Sequence, residues 1–142
     1  MRVLALDHGE ARCGCAVSDP SGTLATPLES VKRPDTRKGL ARIAALAEEL
    51  EAEKVVVGLP ITLAGREGAQ AASARGFAAR LEARLDMPVE MYDERLTTRM
   101  AEASGGRSDA DSRAAAHLLE SYLAAQEAVS YTHLTLPTTP YV

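Results

Sequence analysis

The chain is predicted to fold as one mixed α/β domain, a sheet of about five strands with helices on both faces. Three observations predict this. Short apolar runs near the N-terminus are separated by Gly-, Asp- and Pro-containing turns, as in an antiparallel meander. Later β-branched runs alternate with stretches of helical period, as in parallel βα units. The length of 142 residues, with 46% apolar and 25% charged, suits a single globular domain with a real core.

Residues 2–7 (RVLALD) read as a buried strand that stops at Asp7, and residues 12–18 (RCGCAVS) as its hairpin partner. A turn at residues 19–22 leads to a third strand over residues 23–31, which Pro27 assigns to a sheet edge. From Asp35 to about Glu53, Leu40, Ile43, Ala44, Ala47 and Leu50 recur at helical spacing. Residues 54–58 (KVVVG) form a buried parallel strand. A helix from about Glu67 to Leu85 carries Ala71, Phe77, Leu81 and Leu85 along one side, and residues 88–92 form the fifth strand. Thr97 or Thr98 caps a short helix to about Ala103, followed by a Gly-Gly loop. Asp111 opens the last helix, whose Ala115, Leu118, Leu119, Tyr122 and Leu123 stripe faces the core.

The formal charge of −4 and pI of about 5.4 argue against broad, non-specific binding of nucleic acid. Any polyanion would be held by a local basic surface or through metal. Cys13 and Cys15 share a strand face in a geometry unsuited to a mutual disulfide, and His8 does not complete a zinc set with them. They are expected to be buried thiols in a reducing compartment. No long apolar span and no secretory pattern precede the first strand, so a cytoplasmic, non-membrane protein is expected. Residues 129–142 contain no charged residue and resemble a translated adaptor-like sequence. The native domain is therefore expected to be residues 1–128, with a non-native or disordered tail after it, and Tyr131 and His133 are set aside.

Acidic residues recur where strands end or helices open: Asp7, Asp19, Asp93-Glu94 and Asp111. Such positions build binding sites in sheet proteins. Each also has an ordinary structural role, as a turn, a solvated loop or a helix cap. Alternation puts Glu94 on the face of Tyr92 and Asp93 on the other, so Glu94 is preferred and Asp93 kept as orienter or alternative. Carboxylates from the first strand, the fifth strand and the last helix would bind Mg²⁺ or Mn²⁺, the hard cations of phosphodiester hydrolysis. The loop 58–68 (GLPITLAGREG) offers Gly65, Arg66 and a helix N-terminus to a phosphate, with Arg12 and Arg95 as further contacts. Lys32-Arg33 and Arg37-Lys38 make a dense basic patch, a pattern that is often just a solvated face.

Together, LDHGEARCGCAVSD (6–19), VVGLPITLAGREG (56–68), DERLTT (93–98) and DSRAAAHLLESYL (111–123) resemble the YqgF family, also called RuvX, of the ribonuclease H-like superfamily. The resemblance implies a five-stranded sheet of order 3-2-1-4-5 and a metal-dependent nuclease that matures the 5′ end of 16S rRNA. It implies Asp7, Glu94 and Asp111 as the metal-binding, catalytic acids. It also implies structured RNA or branched DNA as substrate and ribosomal particles as partners, with a monomer or homodimer left open. Cys13 and Cys15 stand where the family usually has aliphatic residues, and the tail matches nothing in it. Two competing readings are a nucleic-acid-binding module with little catalysis and one domain of an actin-like ATPase. An acidic pI disfavours the first, and the second needs two such domains around its cleft.

Overall fold

The computed structural model describes residues 1–62, 64–96 and 110–135. In chain order the elements are β1 (Val3–His8), β2 (Arg12–Ser18), β3 (Ala25–Pro27), β4 (Val31–Lys32), α1 (Arg37–Glu49), β5 (Lys54–Leu59), α2 (Ala69–Glu82), β6 (Val89–Asp93), a 3₁₀ turn (Glu94–Leu96) and α3 (Ala110–Thr135). The expected short helix at residues 97–103 and the Gly-Gly loop lie outside the described residues. Helical backbone in α3 continues through the boundary expected at Ala128.

One mixed sheet runs β3-β2-β1-β5-β6, with β4 also paired to β2. β1 and β2 are antiparallel, whereas β1, β5 and β6 are parallel. This is the expected 3-2-1-4-5 order with one alteration: the edge strand is broken in two. Ala16 faces Pro27 and Cys13 faces Val31, three steps along β2 against four along the edge. Pro27 has no N–H to give, and the extra residue after it makes a bulge. Leu28 N–H still bonds Cys15 C=O at 2.8 Å, but Cys15 N–H turns to Ser112 Oγ at 3.2 Å.

Alternation along the strands divides the core into two layers. Leu4, Leu6, Cys13, Cys15, Val55 and Val57 pack under Leu40, Ile43, Phe77 and Leu81 of α1 and α2. Val3, Ala5, Ala16 and Val56 pack under Ala115, Leu118, Leu119 and Tyr122 of α3. Each fully buried Leu or Val contributes about 1.5–3 kcal/mol, so both layers stabilise the sheet that carries the acids. Both cysteines are buried free thiols; the contact with Cys15 and burial push the Cys13 thiol up, away from nucleophilic use. Thr36 caps α1 by accepting from Gly39 N–H at 3.0 Å, later than the start expected at Asp35.

At the sheet end away from Asp7, Tyr122 ties α3 down. Lys54 Nζ donates to Tyr122 Oη at 2.8 Å, and Tyr122 Oη donates to Glu90 Oε1 at 3.0 Å. The Tyr92 ring meets Tyr122 edge-on with centroids 5.5 Å apart. These contacts fix the rotation of α3 on the sheet, and with it the placement of the helix's first turn.

Candidate active site

Asp7 lies near the end of β1, on the same face as Val3 and Ala5, under α3. Its antiparallel partner is Gly14 of β2. That glycine is required by proximity: a Cβ on Gly14 would collide with the Asp111 backbone and come within 2.9 Å of Ser112 N. Ser112, fully buried, bonds Cys15 N–H of the same strand. The first turn of α3 is thereby pressed onto β2 beside Asp7, which brings Asp111 to that end of the sheet.

Glu94 arrives from the other side. It follows β6 directly, on the face of Tyr92, and its side chain lies across Gly58 of β5. A Cβ on Gly58 would sit 2.5 Å from Glu94 Oε2. In this position the Glu94 carboxylate shares a hydrogen bond with Asp7. Burial, the Glu94 charge and that hydrogen bond, with Asp111 adding to them, push the Asp7 carboxyl up to about 7; only His8 pulls the other way. Glu94 is also raised, first by burial. Both shifts run in the direction that resists charging the two carboxyls together.

The acids singled out in the sequence separate by role. Asp93 points away from Asp7 and is clamped by Arg95, whose Nη2 donates to Oδ2 at 2.7 Å and whose Nε donates at 3.0 Å. Arg95 N–H also donates to Asp93 Oδ1 at 2.9 Å, closing the 3₁₀ turn that begins at Glu94. The Arg95 guanidinium holds the Asp93 carboxyl below its ordinary value. Asp19 belongs to a turn at the far end of β2, where Oδ1 accepts from Thr23 and Leu24 N–H at 2.7 and 2.8 Å. Asp111 contacts Arg12, with Nε 3.8 Å from Oδ2. Among the described residues, no group of three or more His, Cys, Asp and Glu forms a ready-made metal cage. Asp7 and Glu94 touch, and Asp111 acts on Asp7 through its charge.

Asp7 and Glu94 open into a cleft of about 490 Å³ that also borders His8, Asp35 and the first turns of α2. His8, one residue on from Asp7, faces the opposite layer and stacks on Phe77 at 4.6 Å. Its Nε2 meets Asp35 Oδ2 at 2.9 Å, and Arg80 Nη2 donates to Asp35 Oδ1 at 2.5 Å. Sequence reasoning missed this His8–Asp35–Arg80 chain. Only the folded sheet brings residues so distant in sequence together, and no local signal marks it. The loop after β5 doubles back on itself: Ile61 bridges Glu67, Thr62 N–H bonds Arg66 C=O at 2.9 Å, and Gly65 turns with φ 86°. Gly65 lies near the Arg95 guanidinium, so this loop stands beside the turn that carries Glu94.

Residues 1–125 match the profile of the family described as "RuvX: Holliday junction resolvase". A protein of Mycobacterium tuberculosis (strain ATCC 25618 / H37Rv) named "Putative pre-16S rRNA nuclease" is 47% identical over 132 residues, covering 86% of this chain and 78% of the relative. A protein of Anaeromyxobacter dehalogenans (strain 2CP-C) with the same name is 42% identical over 132 residues, covering 87% and 96%. Among solved structures, "T. thermophilus RuvC in complex with Holliday junction substrate" superposes with a TM-score of 0.62 at 17% identity, covering 89% of this chain and 96% of that one. A second, "Thermus thermophilus RuvC structure", gives 0.56 at 21%, covering 90% and 97%. At those identities the likeness concerns the fold, which is ribonuclease H-like. The profile match and the relatives' identity place the chain itself: it belongs to the RuvX family.

Proposed function

We propose that this member of a nuclease family hydrolyses phosphodiester bonds using a divalent cation, Mg²⁺ or Mn²⁺, held by Asp7, Glu94 and Asp111. One observation carries the reading: two carboxyls are packed against each other over a glycine in a half-buried site. Like charges there oppose folding, so the arrangement is explained by a ligand that neutralises them. The donor set fits a hard cation, since it offers only carboxylate oxygens. Such an ion polarises the scissile phosphate and activates water when bound.

The protein's own groups divide the remaining work. Asp7 holds the centre of the site, and the Asp93–Arg95 clamp sets the position from which Glu94 reaches it. Asp111 turns from Arg12 to complete the donor set, which leaves the Arg12 guanidinium to a substrate phosphate. Gly65 and Arg66 contact the nucleic-acid backbone from the loop beside the cleft. Residues 1–128 are the working unit and residues 129–142 are dispensable.

The substrate we favour is precursor 16S rRNA, following the names of relatives at 42–47% identity, and we place the cut in its 5′ region, on the precursor ribosomal particle in the cytoplasm. A branched-DNA resolvase is the second reading, favoured by the family's description. A panel of precursor rRNA fragment, four-way DNA junction and single strands separates them, run with Mg²⁺, Mn²⁺ or EDTA. Cleavage of the rRNA fragment with either metal and none in EDTA is expected. Preferential cutting of the junction would favour the second reading, and cutting that survives EDTA would remove the metal from the mechanism.

Gly58→Ala tests the site without touching an acid. The atoms in its way are the flexible end of Glu94, so stability should change by no more than about 1 kcal/mol. Displacing that carboxylate should lower the cleavage rate on the order of 10²-fold. Wild-type turnover in this variant would show that Glu94 is not needed where it lies.

A further inference from the structure

A groove of about 810 Å³ lies on the other side of residues 33–36 from the acidic cleft, between the broken edge strand and α1. Leu28 and Leu46 are part of its lining, and Lys32, Arg33, Lys38 and Arg42 stand around it, with Glu29 as its one acidic residue. All four cationic residues are exposed. Among the described residues none of the four forms an ion pair, whereas Arg12, Lys54, Arg75, Arg80 and Arg95 each do. In a chain of net charge −4, this is a local surplus of unmatched positive charge.

The groove adjoins the cleft through a rigid turn. Arg33 N–H bonds Ala11 C=O at 2.8 Å, and Arg33 C=O accepts from Thr36 Oγ1, also at 2.8 Å. Arg33 holds a left-handed backbone, φ 48°, which a residue with a side chain adopts only when its surroundings impose it. Pro34 is buried beneath, and Asp35 borders the cleft and binds His8, the neighbour of Asp7. A strand lying across Asp7 and Glu94 would thus meet these cations as it leaves the cleft.

We propose that the groove is a second substrate site, which binds the phosphate backbone of the RNA strand flanking the scissile bond. The proposal rests on the nuclease reading above and adds to it the path of the substrate. Charge complementarity selects the occupant: the cations match successive phosphates, and the apolar residues below give sequence-independent contact. Such a site contributes to binding of the strand and takes no part in bond cleavage.

The test is anisotropy of a labelled precursor rRNA fragment on the full chain in EDTA, together with cleavage kinetics in Mg²⁺. Lys38→Gln/Arg42→Gln removes two cations from the exposed side of α1, and Arg84→Glu, exposed and outside the groove, makes the same two-unit change in net charge. Losing two phosphate contacts should weaken binding roughly 10-fold or more and reduce the log–log salt slope by about 2. In cleavage it should raise KM and leave kcat unchanged. The control should bind like wild type. Unchanged affinity and salt slope in the double variant, with wild-type cleavage intact, would overturn the groove and leave the nuclease reading standing. If wild type cleaves nothing but its RNA binding still depends on Lys38 and Arg42, the nuclease reading fails and the groove survives. Equal weakening by the control variant would reduce the effect to net charge and overturn the proposal.

Discussion

Asp7→Asn is expected to lower nuclease turnover on the order of 10³-fold while making the metal-free protein more stable. Both effects have the same origin. Asp7 is buried against Glu94 within reach of the Asp111 charge, and its carboxyl is pushed up to about 7. The folded protein therefore binds that proton more tightly than the unfolded chain does. For an acid raised in this way, the associated stability is complete below the unfolded value near 4 and is lost as pH climbs towards 7. Asparagine carries no charge to lose. In EDTA, the melting temperature of the variant should exceed that of wild type at pH 8, and the gap should shrink as pH falls to 5. Mg²⁺ or Mn²⁺ should then raise the melting temperature of wild type and leave the variant nearly unmoved. Thermal melts over that pH range, with and without metal, check all three expectations. A variant that melts earlier than wild type at pH 8 would mean that the Asp7 carboxyl is part of the scaffold.

Gly14→Ala should act in the opposite sense, damaging the fold first. The new methyl group would meet main-chain atoms of Asp111 and Ser112, which cannot rotate aside as a side-chain tip can. Relief requires the first turn of α3 to lift from β2, stretching the 3.2 Å bond between Cys15 N–H and Ser112 Oγ. Overpacking of this kind costs about 1–3 kcal/mol, and the lost hydrogen bond adds to it. Denaturant melts measure the loss of stability. Hydrogen exchange should show it concentrated in the first turns of α3, with the Tyr122 end still protected. Turnover should fall as well, because Asp111 moves with that backbone. If melting and exchange matched wild type, the close approach of α3 to β2 would not be a constraint on this fold.

The layering of the sheet and the approach of Glu94 rather than Asp93 to Asp7 were legible because both follow from strand parity. Val3, Ala5 and Asp7 share a face, as do Tyr92 and Glu94, so the sequence points Glu94 and not Asp93 towards Asp7. Pro27 likewise marked the edge strand. What parity does not convey is distance between elements. Gly14 and Gly58 look like ordinary strand glycines, and their function as spaces for Asp111 and Glu94 exists only once α3 and the turn after β6 are in place. Arg12 was expected at a nucleic-acid backbone and is found beside Asp111, a pairing between residues far apart in sequence. The break in the edge strand also depends on pairing, since one extra residue has no signature until β2 sets the register.

That break has a consequence for association. An intact, flat edge strand is an adhesive, ready to add any extended segment by main-chain pairing. Here a proline and a bulge divide the edge into pieces of three and two residues, too short and too misaligned to template a continuous ladder. The surface beside α1 is thereby made unreceptive to strand addition, by a second copy or by a stray peptide. It stays open to partners recognised through charge.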